Sequence, residues 1–166
     1  SGASLNKSVS VVVQKGGTYT SDTDDTIGSI EGQGRINLYN ASMTLTVGAL
    51  DKDSTFSGYI TGDGSFAKTG SGVLTLSGAN DYGERFAGST TTISEGTLRV
   101  SGSLDDSTPV IVSSGAVYDV DSTDTIGSIS GAGSIQIAGG KTLTAGGLNT
   151  NTKFSGQISG GGDVVK

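Results

Sequence analysis

The stretch Thr26-Ile27-Gly28-Ser29-Ile30 returns as Thr125-Ile126-Gly127-Ser128-Ile129, 99 positions further along the chain. The same shift carries Leu5 to Leu104, Val11 and Val13 to Val110 and Val112, Tyr19 to Tyr118, and Gly32, Gly34 and Ile36 to Gly131, Gly133 and Ile135. After one deletion the shift is 98, and Thr44-Leu45-Thr46 and Phe56-Ser57-Gly58 match Thr142-Leu143-Thr144 and Phe154-Ser155-Gly156. Residues 1–68 and 100–166 are therefore two copies of one unit, with a different segment, 69–99, between them. Short apolar runs and glycines recurring at so long a period signal a stacked array rather than a globular enzyme.

Short strand patterns fill both copies and the segment between them. Val9-Ser10-Val11-Val12-Val13, Arg35-Ile36-Asn37-Leu38-Tyr39, Gly72-Val73-Leu74-Thr75-Leu76, Thr97-Leu98-Arg99-Val100 and Ser134-Ile135-Gln136-Ile137 alternate apolar and polar residues with the period of a half-buried strand. Gly-rich breaks such as Glu31-Gly32-Gln33-Gly34 and Ser130-Gly131-Ala132-Gly133 separate them, and no stretch sustains a helical period. An antiparallel sandwich would favour Asn-Gly hairpin turns, and the chain contains no Asn-Gly. A parallel β-helix uses short strands, small corner residues and internal repeats, so the pattern favours an all-β parallel solenoid over the sandwich.

Composition narrows the chemistry. Glycine supplies 29 of 166 residues against an ordinary share of about 7%, with 1 Pro, no Cys and no His. Such a share with many Ser and Thr also suits disorder, but Val, Ile and Leu recur throughout at strand spacing. The 33% apolar share suits a thin, elongated core. Without His or Cys there is no Ser-His-Asp triad, no Cys nucleophile, no ordinary zinc site and no haem ligand. A net charge of −6 without a basic cluster argues against nucleic acid as a partner. No apolar run approaches the roughly 20 residues of a membrane-spanning helix, and none has the pattern of a secretory leader.

The acids support no site of their own. Asp22, Asp24 and Asp25, echoed by Asp121 and Asp124, lack a calcium-binding nonapeptide, so a solvated turn is expected and no metal. Asp51 with Asp53, and Asp105 with Asp106, prompt comparison with polysaccharide-cleaving β-helices. Adjacent strand residues point to opposite faces, so Asp105 and Asp106 are badly placed to act together, and neither a catalytic residue nor a cofactor is expected. Tyr19 and Tyr118 are read as inward core residues rather than a binding pair, and Phe56 and Phe154 as matching interior positions.

The middle segment carries a resemblance. Ser71-Gly72-Val73-Leu74-Thr75-Leu76-Ser77-Gly78-Ala79-Asn80-Asp81-Tyr82, then Gly88-Ser89-Thr90-Thr91-Thr92-Ile93-Ser94-Glu95-Gly96-Thr97-Leu98-Arg99-Val100, resembles the passenger repeat of bacterial autotransporters almost position by position. The flanking Thr-Ile-Gly-Ser-Ile, Gly-x-Gly and Phe-Ser-Gly elements are similar to segments that accompany it, so the resemblance covers nearly the whole chain. It implies a right-handed parallel β-helix of about seven rungs at the family's habitual rung length. With rungs about 4.8 Å apart, the rod would be around 35 Å long. It also implies a place on the surface of a Gram-negative cell, secretion by the type V route, and a separate outer-membrane barrel in the same parent chain. The absence of Cys suits a chain exported unfolded. Residues 1–166 are expected to form one β-helix fragment of a longer passenger, cut inside a repeat unit at Val164-Val165-Lys166.

Such passengers are mostly adhesins, self-association factors, toxins or proteases. The expected function is adhesion to a host-cell or matrix ligand, or association with another copy of the chain in aggregates and biofilm. An inert stalk and a carbohydrate-active β-helix are the alternatives. Two contact sites are expected. One is the outward face of Arg35, Asn37 and Tyr39, with Ser134, Gln136 and Ala138 as the equivalent set in the second copy. The other is the loop in residues 80–89, where Gly83-Glu84-Arg85-Phe86-Ala87 exceed the family pattern. An insertion must leave a β-helix at a corner, because buried loop backbone would lose its hydrogen bonds. Tyr82, Glu84, Arg85 and Phe86 are its candidate partner contacts, with Phe86 folding back onto the rod as the alternative.

Overall fold

The chain was analysed as a computed structural model that describes residues 5–83 and 88–166. It is a parallel β-solenoid with three strands to the turn. In order, the turns run β1 (Ser10–Val13), β2 (Thr18–Ser21), β3 (Asp25–Ile27); β4 (Ser29–Gly32), β5 (Arg35–Leu38), β6 (Thr44–Val47); β7 (Ser54–Phe56), β8 (Tyr59–Gly62), β9 (Ser65–Lys68); and β10 (Val73–Leu76), β11 (Asp81–Tyr82), β12 (Thr91–Ile93). They continue with β13 (Thr97–Val100), β14 (Pro109–Val112); β15 (Val117–Val120), β16 (Asp124–Ile126), β17 (Ser128–Gly131); β18 (Ser134–Ile137), β19 (Thr142–Ala145); and β20 (Gln157–Gly160), β21 (Asp163–Val165).

The first face is the eight-stranded ladder β1-β4-β7-β10-β13-β15-β18-β20, one turn more than rung length suggested. The second face carries β2-β5-β8-β11 and then β16-β19-β21, linked through the Ala79–Ser103 bridge. The third carries β3-β6-β9-β12-β14-β17, continued by a bridge from Gly131 to Phe154. All five strands read from alternation are present, and every strand pair is parallel.

Inside, each turn stacks like on like. Leu74, Leu98, Tyr118 and Ile135 form one column of the first face, and Leu76, Val100, Val120 and Ile137 the next. Ile27, Ile36, Leu38 and Leu45 are all buried, as are their copies Ile126, Ile135, Ile137 and Leu143. Burying each such side chain stabilises the rod by about 1.5–3 kcal/mol. Thr75 points outward beside the buried Leu76, as the alternation requires.

The corners explain much of the glycine. At the corner between first and second faces, Gly34, Gly58, Gly78 and Gly102 lie one above another. A Cβ on Gly78 would fall on the carbonyl oxygen of Gly58, and one on Gly58 on that of Gly34. Only hydrogen fits where successive backbones stack this closely.

On the third face, Lys68 interrupts the column of Ile27, Val47, Ile93 and Val112. Lys68 sits between Val47 and Ile93 and is 1% exposed. Its Nζ donates to the carbonyls of Thr69 (2.7 Å), Gly70 (2.7 Å) and Glu95 (3.3 Å), which matches the three donors of an ammonium. Burial lowers its pKa, opposed by the nearby charges of Asp51, Glu95 and Asp53. All three carbonyls belong to the middle segment, so the first copy grips that segment through a buried cation.

The two copies do not occupy the same faces. β1 lies on the first face in the first turn, and its copy β14 lies on the third face in the fifth turn. The offset is therefore four turns plus two of three faces. The same displacement takes β5, on the second face, to β18, on the first. The expected match of Phe56 and Phe154 at equivalent interior positions therefore fails. Phe56 lies on the first face and Phe154 on the third, where it is only half-buried.

Candidate interaction surface

The second face positions the expected contact residues. In β5, Ile36 and Leu38 point inward, leaving Arg35 and Asn37 outward and half-buried, while Tyr39 follows at the corner, 69% exposed. One turn on, β8 buries Ile60 and turns Tyr59 (47% exposed) and Thr61 outward. The registers Arg35–Tyr59 and Asn37–Thr61–Asp81 align these outward side chains along the rod. Together Arg35, Asn37, Tyr39, Thr61, Gly62, Asp63 and Asp81 line a groove of about 400 Å³.

The guanidinium of Arg35 is fixed in that groove. Its Nε donates to Thr61 Oγ1 at 2.9 Å and its Nη2 to Asn37 Oδ1 at 3.4 Å. Among the described residues the ion pairs are Lys52–Glu31 and Arg99–Asp119, so Arg35 shares the groove with Asp63 and Asp81 without pairing to either. Sequence reading found Arg35, Asn37 and Tyr39 but missed Tyr59, Thr61, Asp63 and Asp81. The signal was spacing by one turn: Asn37, Thr61 and Asp81 stand 24 and 20 residues apart.

The expected equivalents Ser134, Gln136 and Ala138 are not on this face. β18 belongs to the first face, with Gln136 beside Asp119, so the two sets form no common surface.

The loop candidate also changes. Tyr82 is 0% exposed: its ring lies 5.9 Å from that of Phe66, and its hydroxyl pairs with Thr91 Oγ1 at 2.6 Å. It is a core residue, because the strand alternation that turns Asp81 out turns Tyr82 in. Glu84, Arg85 and Phe86 lie outside the described residues. The loop's root borders the groove, since Ser89 Oγ donates to the carbonyl of Asp63.

The acids have a structural task that sequence reading missed. Asp24 accepts the N–H of Thr44, Asp51 that of Ser71 and Asp53 that of Val73, each at 2.8 Å and 20 residues away. Asn80 likewise accepts the N–H of Ile60. Each side chain stands in for the carbonyl of a neighbouring turn where strand pairing lapses. Asp25 and Asp124 do the same for Leu5 and Leu104, so both are buried, and the solvated-turn reading fails for them. Burial pushes the Asp124 carboxyl up to about 6, against the pull of the Leu104 and Thr125 N–H groups, with Asp106 adding repulsion.

Tyr19 and Tyr118 are core residues, as read, but not identical ones. Tyr19 donates to Asp25 Oδ2 at 2.8 Å. Tyr118 is fully buried and its hydroxyl has no hydrogen-bond partner among the described residues. Burial, and then the charge of Asp124, raise its pKa.

Residues 66–100 match the passenger-associated-transport-repeat family. Over an alignment of 179 residues the chain is 35% identical to the adhesin BmaC autotransporter of Brucella suis biovar 1 (strain 1330). That alignment covers 99% of this chain and 5% of the relative, so the chain spans a small part of that protein. No solved structure matches. The chain thus carries a passenger-associated-transport repeat in the middle turns of a parallel solenoid and, along nearly its whole length, is similar to a small part of an autotransporter adhesin.

Proposed function

We propose that the chain is an adhesive segment of a cell-surface autotransporter passenger and that it makes contact through the second face between its second and fourth turns. The observation that carries this reading is the cluster of Arg35, Asn37, Tyr39, Tyr59 and Asp81 on one side of the rod. Exposed aromatic residues beside Arg are the usual make-up of recognition surfaces. The relative's name, an adhesin, supports the same reading. The partner is a host-cell or matrix ligand, or another copy of the chain. A C-terminal outer-membrane barrel of the parent chain would hold the segment outside a Gram-negative cell, and the segment would do no catalysis.

The test is adhesion by cells displaying the passenger with Arg35→Ala and Tyr39→Ala together, with sedimentation of the isolated chain alongside. Adhesion or association falls if the face is the contact. If both are unchanged while the variant folds normally, the second reading holds: an inert stalk. The unbroken eight-strand ladder favours that reading, because a rod needs nothing more to space a distal domain from the membrane.

A further inference from the structure

We propose that the groove on the second face binds a short neutral oligosaccharide. The proposal rests on the adhesive reading above and names the chemistry of its ligand.

Among the described residues, the groove has unmet hydrogen-bonding capacity. Arg35 uses two of its five guanidinium donors on Thr61 and Asn37, which hold it flat against the sheet. Asp63 and Asp81 bring carboxylate acceptors from the next two turns, and neither forms an ion pair among the described residues. The groove thus offers a fixed donor and carboxylate acceptors side by side. A sugar hydroxyl both donates and accepts, so one ring meets the guanidinium and a carboxylate at once.

Shape and charge select the same class. Tyr39, 69% exposed at the groove's rim, offers a flat apolar surface to the C–H face of a pyranose. The lining spans two turn-to-turn steps, about 10 Å, the reach of two linked hexose rings. Two carboxylates against one guanidinium, on a chain of net charge −6, repel a sulfated or carboxylated polymer. Strand backbone and the pinned guanidinium set the groove before any ligand arrives, which lowers the entropy cost of binding.

The experiment titrates the protein with neutral oligosaccharides (α- and β-glucans, galactans and mannans of two to four units) and with a heparin hexasaccharide as the charged probe. Binding is read by saturation-transfer NMR and by tyrosine fluorescence, in a chain with 5 Tyr and no Trp. The expected result is millimolar binding of a neutral member, weakened about tenfold or more by Tyr39→Ala and by Asp81→Asn. Gln136→Ala on the first face leaves it unchanged. Silence of every neutral sugar at tens of millimolar overturns the proposal. So does preference for the heparin fragment, binding that survives both variants, or a face that only dimerises in sedimentation. If the sugars are silent but Tyr39→Ala abolishes adhesion by displaying cells, the saccharide falls and the adhesive reading stands. Sugar binding lost in Tyr39→Ala with adhesion intact sinks the adhesive reading instead.

Discussion

The two copies share a sequence but not a side of the rod. Arg35, Asn37 and Tyr39 stand on the second face over Tyr59 and Asp81, whereas Ser134, Gln136 and Ala138 stand on the first face beside Asp119. Inward positions survive this rotation unchanged: Ile36 and Ile135 are both buried, and so are Leu45 and Leu143. The Asp25–Leu5 hydrogen bond is likewise repeated as Asp124–Leu104. These strand positions keep their burial on a new face because each face gives them apolar neighbours in the turns above and below. Outward residues acquire a function only from those neighbouring turns.

The largest effects should be alike in the two copies. Ile36→Asp and Ile135→Asp each place a carboxylate in an apolar column and should cost about 3–5 kcal/mol. Asn37→Asp and Gln136→Asp, one residue along and outward, should cost less than about 0.5 kcal/mol. Chemical denaturation reads all four. Equal losses at inward and outward positions in either copy would break the claim that alternation survives the change of face.

Lys68 sharpens the contrast between the copies and the segment joining them. Lys68→Ala strips the donor from three carbonyls and leaves a cavity, so it should lower stability by about 3 kcal/mol. Lys68→Met, apolar and similar in length, should recover most of that loss, since a well-packed apolar side chain often equals a buried charge. A Met variant as unstable as the Ala variant would mean that the ammonium, not its stem, holds the corner.

The acid of the second copy predicts a pH dependence. The folded pKa of Asp124, about 6, lies above its ordinary 3.8, so the folded state holds the proton more tightly. The stability this group contributes is fully present below about pH 4 and is lost as pH rises through about 6, a change of roughly 2–3 kcal/mol. Asp124→Asn should lack that step, so the difference between parent and variant Tm should change across pH 4–8. A flat difference would show the carboxyl to be solvated.

The smallest effects should differ in sign. Tyr19→Phe loses a hydrogen bond to Asp25 and should cost about 1 kcal/mol. Tyr118→Phe removes a buried hydroxyl that has no partner among the described residues and should be neutral or stabilising by up to about 1 kcal/mol. Matched losses would mean that the Tyr118 hydroxyl has a partner in solution.

Much of this was legible in the chain. Alternation in 72–76 and 134–137 gave the strands and their buried sides, and the passenger-like segment pointed to a parallel coil. The candidate face was legible in part: Arg35, Asn37 and Tyr39 read as outward, but Tyr59 and Asp81 did not join them, since 24 residues separate Tyr59 from Arg35 and 44 separate Asp81 from Asn37. Tyr82 looked like a loop residue beside an insertion. It is buried because β11 continues the alternation one residue further than the turn-rich sequence suggests.

Sequence alone determined which way each strand residue faces. That is a local property, imposed by a backbone whose successive side chains point to opposite sides. Only the tertiary structure decided where around the axis each strand lies. A turn consumes 17 residues from Val117 to Ser134 but 25 from Phe66 to Thr91, the turn that holds the insertion. Corner lengths accumulate along the chain, so a repeat of 99 residues ends two faces away from a whole number of turns. The phase that brings Arg35, Tyr39 and Asp81 into one groove is fixed by which carbonyl each new turn pairs with. No periodicity within a single strand carries that choice.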